Sequence, residues 1–169
     1  QYTEEDMPIS QRPELDRWIL STLNSLIEEV DECFNDYDLT KAGRLIASFT
    51  LEDLSNWYVR LSRRRFWKGD YTQDKISAYQ TLYTCLITIA KLASPIAPFY
   101  MDQIYKDLNS ITQKEKYDSV HLTDFPVINE KLIDKELEER MKTAQKITSM
   151  IFSLRKKMNL RVRQPLKKV

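Results

Sequence analysis

Between Leu15 and Phe34, the residues Leu15, Trp18, Ile19, Leu23, Leu26, Ile27, Val30 and Phe34 recur at three- and four-residue steps. That spacing puts them on one face of an α-helix. The pattern returns from Leu39 to Lys68 through Ala42, Leu45, Ile46, Phe49, Leu54, Trp57, Tyr58 and Leu61. It returns after Thr72 through Ile76, Tyr79, Leu82, Tyr83, Leu86, Ile87, Ala90 and Ala93, and again over about 130–158 through Leu137, Met141, Ala144, Ile147, Ile151, Leu154 and Met158. Pro95 and Pro98 interrupt the third helix, because proline lacks the N–H that a helix interior uses. A further helical piece follows them with Phe99, Ile104, Tyr105 and Leu108. Only two glycines occur in 169 residues, whereas tight turns between strands call for residues with φ > 0. The expectation is an all-α fold, an antiparallel bundle of four or five helices. Helix should cover at least about 65% of the chain, against a usual third.

Local signals set the ends. Pro13 suits a first turn, Asp38 suits an N-terminal cap, and the third helix is read as starting after Thr72. Gly69 suits a C-terminal stop. The second helix then runs unbroken from Leu39 to Lys68, roughly 45 Å at about 1.5 Å per residue. Gly43 inside it costs up to about 1 kcal/mol relative to alanine, which reads as a site of close packing. Asp16, Arg17, Ser21, Asn24, Glu28, Asp31 and Glu32 make the solvent face of the first helix. The stretch "SVHLTDFP" is read as extended, with strand character only at Val120–Leu122. Residues 1–12 are a lead-in, 13–158 the bundle, and 159–169 a basic connector to a further C-terminal junction domain. The chain begins without Met, which reads as a segment of a longer protein.

Catalytic and metal-binding patterns find no support. His121 is the single histidine, so no His pair is available for zinc and no triad can form around it. Glu138 and Glu139 read as solvated surface charge. Cys33 and Cys85 each fall within a helical pattern and read as reduced core thiols. No run of 18 apolar residues is present, so no membrane helix is read. A cytoplasmic location is expected.

The net charge of +1 conceals a strong asymmetry. Residues 1–36 carry ten acids against two bases, and residues 140–169 carry ten bases and no acid. Charge gathered in this way speaks of a partner rather than of the fold. In "NWYVRLSRRRFWKGD", Arg60, Arg63, Arg64, Trp67 and Lys68 fall on neighbouring helix faces at i, i+3, i+4, i+7 and i+8. Guanidinium forks match phosphate geometry, and an exposed aromatic ring can stack on an unpaired base. The alternative is that these cations only favour their own helix dipole, at about 0.3–1 kcal/mol each, and that Phe66 and Trp67 are core. A second cluster, Arg155, Lys156, Lys157, Arg161, Arg163, Lys167 and Lys168, has no acid near it in sequence. Together the two clusters favour a nucleic acid over a solvated face.

"NWYVRLSRRRFW", "LASPIAPFYMDQIY", "SVHLTDFP" and "LRVRQPL" occur in this order over about Leu15 to Leu166, and in these elements the chain resembles the anticodon-binding helical domain of isoleucyl-tRNA synthetases. The "SPIAPF" and "SVH…FP" elements are shared loosely with valyl and leucyl enzymes. The resemblance implies a class I ligase that uses ATP and Mg to join isoleucine to its tRNA, with tRNA and the catalytic and C-terminal domains of the same chain as partners. The family's ATP-site signatures, H-I-G-H and K-M-S-K-S, are missing here. This segment is therefore expected to bind the anticodon stem and loop, hold no cofactor and contain no catalytic residue. Carried over as tRNA contacts are Arg60, Arg63, Arg64, Trp67 and Lys68, with Arg155, Lys156, Arg161 and Arg163 behind them. The rivals are the corresponding valyl or leucyl domain and a helical protein–protein interaction bundle.

Overall fold

A computed structural model describes residues 6–67 and 70–165. Of these, 75% are helical and none is in a strand. The order is α1 (Glu14–Asn35), α2 (Leu39–Ser48), a π-helical segment (Phe49–Val59), α3 (Arg63–Trp67), α4 (Gln73–Ala93), α5 (Pro98–Thr112) and α6 (Lys135–Lys157). The chain divides into two compact units, residues 1–133 and 134–169.

In the first unit α1 packs on α2 and α4, and α4 packs on α5. The α1–α2 corner is closed by left-handed Tyr37 (φ 57°), with the Asp38 N–H donating to the Cys33 carbonyl at 2.8 Å and that of Tyr37 to Phe34 at 3.1 Å. This is a Schellman closure. Asp38 then caps α2 by accepting from the Lys41 N–H at 2.9 Å. Thr72 caps α4 in the same manner. Pro98 opens α5 after a turn over 94–97, so the two prolines separate α4 and α5 as expected.

The core centres on α1, which packs against α2, the π segment and α4. Trp18, Ile19, Leu23, Val30, Ala42, Leu54, Tyr58, Cys33, Cys85 and Leu92 are buried. The expected solvent face of α1 is corrected here: Asp16, Ser21 and Asn24 are buried too. They are buried because α1 is enclosed on that side as well. The 124–132 stretch crosses it, with the Asn129 N–H donating to Asn24 Oδ1 at 2.9 Å and Phe125 meeting Phe34 edge to face at 5.6 Å.

Asp16 is the centre of that enclosed polar face. Its carboxylate has no exposed surface and accepts from Tyr58 Oη at 2.9 Å, Ser77 Oγ at 2.6 Å, and Arg65 Nη1 and Nη2 at 2.6 and 2.8 Å. Arg65 also donates from Nε to the Asp74 carboxylate at 3.0 Å and from Nη2 to the Asp74 carbonyl at 2.9 Å. One carboxylate thereby joins α1, the π segment, α3 and α4. Burial pushes the Tyr58 phenol up, and the adjacent Asp16 charge pushes it further. Burial pulls the Arg65 guanidinium down, but the hydrogen bonds and charge of Asp16 outweigh it, and the net direction is up.

The unbroken second helix is also corrected. After Ser48 the hydrogen bonds reach five residues back until Val59, and a turn at Ser62 precedes α3. Thr50 Oγ1 donates to the Ile46 carbonyl at 2.7 Å where this segment begins, a side-chain bond that competes with the backbone ladder and bends helices. Each residue of a π turn advances less around the axis than in an α-helix. Inward positions therefore fall at Phe49, Leu54, Tyr58, Ser62 and Phe66, in steps of five and then four. Leu61, expected in the core, is 55% exposed, and Trp57 is only half-buried.

Two smaller expectations change. Val120–Leu122 forms a 3-10 turn rather than an extended segment. Ser119 Oγ accepts the His121 N–H at 3.3 Å, and Asp102 on α5 accepts from Ser119 Oγ at 2.6 Å and from the Val120 N–H at 3.0 Å. These bonds curl the backbone and seat Val120 among Ile87, Ala90 and Tyr105. Gly43 is not a site of tight approach: a Cβ there would meet Ile96 Cδ1 at 3.6 Å, an ordinary contact, across an open apolar groove of about 420 Å³.

The second unit holds α6, capped by Asp134, which accepts the Leu137 N–H at 2.9 Å. The helix starts later than Glu130 because Glu130–Leu132 is a separate 3-10 turn and 133–134 are extended or irregular. Of its apolar stripe Leu137 is buried, whereas Ile147, Leu154 and Met158 are more than half exposed.

Three outcomes are expected. Arg65→Ala strands the buried Asp16 charge and should cost about 3–5 kcal/mol, whereas exposed Arg63→Ala should stay within about 0.5 kcal/mol; urea unfolding of both variants checks this, and equal losses would reverse the faces. Gly43→Ala should stabilise by about 0.5–1 kcal/mol, read as a higher urea midpoint. The Asp102 carboxyl is held at about 2 by Lys106, Ser119 and the Val120 N–H, below the ordinary value of about 3.9. A depressed carboxylate contributes stability above its unfolded value and loses it as pH falls toward the folded one. The gap in urea midpoint between wild type and Asp102→Asn should therefore be constant above about pH 5 and close between about pH 4 and pH 2; a gap that persists unchanged to pH 3 would remove Asp102 from this role.

Candidate nucleic-acid interface

The basic run begins where the π segment ends. The Ser62 N–H donates to the Tyr58 carbonyl at 2.9 Å, and the Ser62 carbonyl accepts from the Arg65 and Phe66 N–H groups at 2.9 and 3.2 Å. With Ser62 fully buried, this turn fixes the start of α3. Phe66 is clamped between two rings, Tyr58 at 6.5 Å and Tyr79 at 5.2 Å, both edge to face. The Tyr79 hydroxyl also donates to the Phe66 carbonyl at 3.2 Å. These contacts settle the Phe66–Trp67 question: Phe66 is core, and Trp67 is 77% exposed.

Arg60, Arg63 and Arg64 are all exposed. None of them forms an ion pair among the described residues. The structure therefore brings Arg60, Arg63, Arg64 and Trp67 onto one solvent-facing stretch. Lys68, and Gly69 as the proposed stop, lie outside the described residues. The i, i+3, i+4, i+7 spacing passes over Arg65, and that arginine is the one turned inward to Asp16 and Asp74. The helix-dipole alternative loses force for Arg63 and Arg64, since α3 has only five residues and the dipole grows with aligned peptide units, whereas Arg60 sits at the end of the long helical run from Leu39.

The second cluster lies at the end of α6, in the other unit. Left-handed Asn159 (φ 53°) closes the helix, with the Leu160 N–H donating to the Arg155 carbonyl at 2.8 Å and the Asn159 N–H to Lys156 at 3.1 Å. Arg155 is half-buried, and its Nη1 donates to the carbonyls of Arg161, Val162 and Gln164 at 2.8, 3.2 and 3.0 Å. Lys156, Arg161 and Arg163 are exposed. Arg155 thus pins the segment that carries Arg161 and Arg163, a role that sequence spacing does not reveal because the partners are backbone carbonyls.

Chemically, the α3 region offers planar guanidinium forks that no ion pair occupies among the described residues, beside an exposed indole. Such forks take phosphate oxygens two at a time, and the indole offers a π-face to a base. Among the described residues no three His, Cys, Asp or Glu side chains gather as a metal site, and no helix is long and apolar enough to cross a membrane.

Comparison with known proteins places this arrangement. The family described as the anticodon-binding domain of tRNA ligase matches residues 16–169. An isoleucine–tRNA ligase of Bacteroides fragilis is 61% identical over 166 residues, which is 98% of this chain and 14% of that protein. The enzyme of the same name from Cytophaga hutchinsonii is 56% identical over 168 residues, 99% of this chain and 15% of that protein. That of Clostridium novyi is 45% identical over 152 residues, 90% and 14% respectively. The chain spans about one seventh of the length of the curated relatives it matches. With an all-α bundle, an unneutralised arginine stretch and a family match over nearly its whole length, the chain belongs to the anticodon-binding domains of tRNA ligases.

Proposed function

We propose that this chain is the part of an isoleucine–tRNA ligase that holds the anticodon stem and loop of its tRNA. The parent enzyme would use ATP and Mg to join isoleucine to that tRNA, with chemistry supplied by other parts of the protein and with work in the cytoplasm. The observation that carries the reading is the exposed Arg60, Arg63 and Arg64, which form no ion pair among the described residues, on a backbone fixed by the Asp16–Arg65 pair. The isoleucine ligases that match nearly all of the chain support the choice of amino acid over the valyl and leucyl alternatives.

In this reading Arg60, Arg63, Arg64 and Lys68 contact backbone phosphates and Trp67 stacks on a base. Lys156, Arg161 and Arg163 form a second basic patch. Arg155 adds its charge there and presents Arg161 and Arg163 through the carbonyls it holds. The 159–169 segment serves as the connector to a junction domain.

Phosphate contacts release counterions, so affinity falls steeply with salt. In a salt series with isoleucine tRNA, Arg60→Ala and Arg64→Ala should each lower the magnitude of the log K against log salt slope by about one unit, with similar weakening for any tRNA. If the double variant keeps both slope and affinity, the stretch does not bind phosphate and the proposal falls.

A further inference from the structure

The turn after α3 carries a second exposed ring. Tyr71 is 79% exposed, close to the 77% of Trp67. The other rings of this corner are used internally: Phe66 packs on Tyr58 and Tyr79, and the Tyr79 hydroxyl is bonded to the Phe66 carbonyl. Tyr71 instead lies against a cation, the Lys75 ammonium, 4.9 Å from its ring centre. Lys75 is itself buried, at 9% exposure, so that cation is fixed in place rather than swinging in solvent. Its contact with the ring faces helps hold the phenol in one orientation.

Two acids flank Tyr71 in the sequence, Asp70 and Asp74; both are exposed, and Asp74 is paired with Arg65 at 2.9 Å. An exposed carboxylate on the residue next to Tyr71 in the chain disfavours a phosphate there and leaves a neutral, flat group as the better guest. We infer that Tyr71 is a base-stacking residue, which receives an unpaired nucleobase of an RNA loop on the open part of its ring while Lys75 steadies it. The inference rests on the tRNA reading above and assigns the 70–75 turn to the unpaired loop rather than to the stem. The arginines hold backbone, and Tyr71 distinguishes stacked, unpaired bases from duplex.

The test uses the whole 169-residue chain, a hairpin RNA with an unpaired loop, and the same stem closed into a continuous duplex. Tyr71→Ala should weaken hairpin binding about 5- to 150-fold, the loss of one base–aromatic stack. It should leave duplex binding and the salt slope unchanged, and Tyr71→Phe should restore hairpin affinity. A circular dichroism spectrum equal to wild type confirms that the variant is folded. Equal weakening toward hairpin and duplex, or no weakening toward the hairpin, overturns the inference while leaving the phosphate reading intact. A wild-type chain that binds neither RNA overturns both. If hairpin binding is lost with Tyr71→Ala yet not regained with Tyr71→Phe, the hydroxyl rather than the ring is responsible, and stacking is wrong.

Discussion

The Asp16 carboxylate is the constraint on which the first unit depends. A charge without exposed surface costs several kcal/mol in lost hydration, and only complete pairing offsets it. Here the pairing is complete: two guanidinium nitrogens and two hydroxyls converge on two oxygens. Because the three donor residues Tyr58, Arg65 and Ser77 belong to three different elements, the bonds form together only when α1, the π segment, α3 and α4 are all in place. Apolar contacts such as those of Leu23 or Leu92 tolerate small slips of one helix along another. A bidentate arginine fork does not. The carboxylate therefore fixes the register of helices that the apolar core holds together.

That register decides which arginines remain for a partner. In a regular α-helix, Leu61 would follow Leu54, Trp57 and Tyr58 into the core, and the basic run would be rotated accordingly. The π segment shifts the inward positions to Tyr58, Ser62 and Phe66. Arg65 then lies where it reaches Asp16, while Arg60, Arg63 and Arg64 face solvent. Placing one arginine inside gives the outward three a rigid base. Rigid presentation matters because ordering a long side chain costs about 0.5–1.5 kcal/mol at an interface. A backbone that is already held leaves only the side-chain part of that cost to binding.

The sequence discloses much of this and conceals the rest for definable reasons. Periodicity in α1, α4 and α5 and the cap at Asp38 are local signals, and the helices appear where they point. The buried polar face of α1 is a different matter. Asp16, Ser21 and Asn24 sit at the spacing of a solvent face, and nothing within α1 shows that the π segment, α3 and α4 close over Asp16 or that the 124–132 stretch meets Asn24. The π register is hidden for a similar reason: the Thr50 side chain competes for one carbonyl, and the shift accumulates over the residues that follow. Val120–Leu122 reads as extended because its composition suits a strand, but the bonds that curl it come from Asp102, eighteen residues away. At the candidate interface, spacing separates Arg65 from its neighbours without supplying the cause. The cause is Asp16, forty-nine residues earlier.

Burial and display therefore oppose one another along a single short run. Three consecutive arginines repel one another wherever they are placed, and solvent screens that repulsion at moderate salt. Turning Arg65 inward replaces screening by a fixed counter-charge and lowers the local cost of keeping Arg63 and Arg64 beside it. The same step removes Asp16 and Asp74 from competition, since Arg65 occupies both acids. What remains outward is positive and without an ion pair among the described residues, beside one exposed indole. A polyanion meeting that surface displaces no internal ion pair, and it gains the full attraction of the outward guanidinium groups. The stability of the bundle and the availability of its cations follow from one arrangement of one carboxylate.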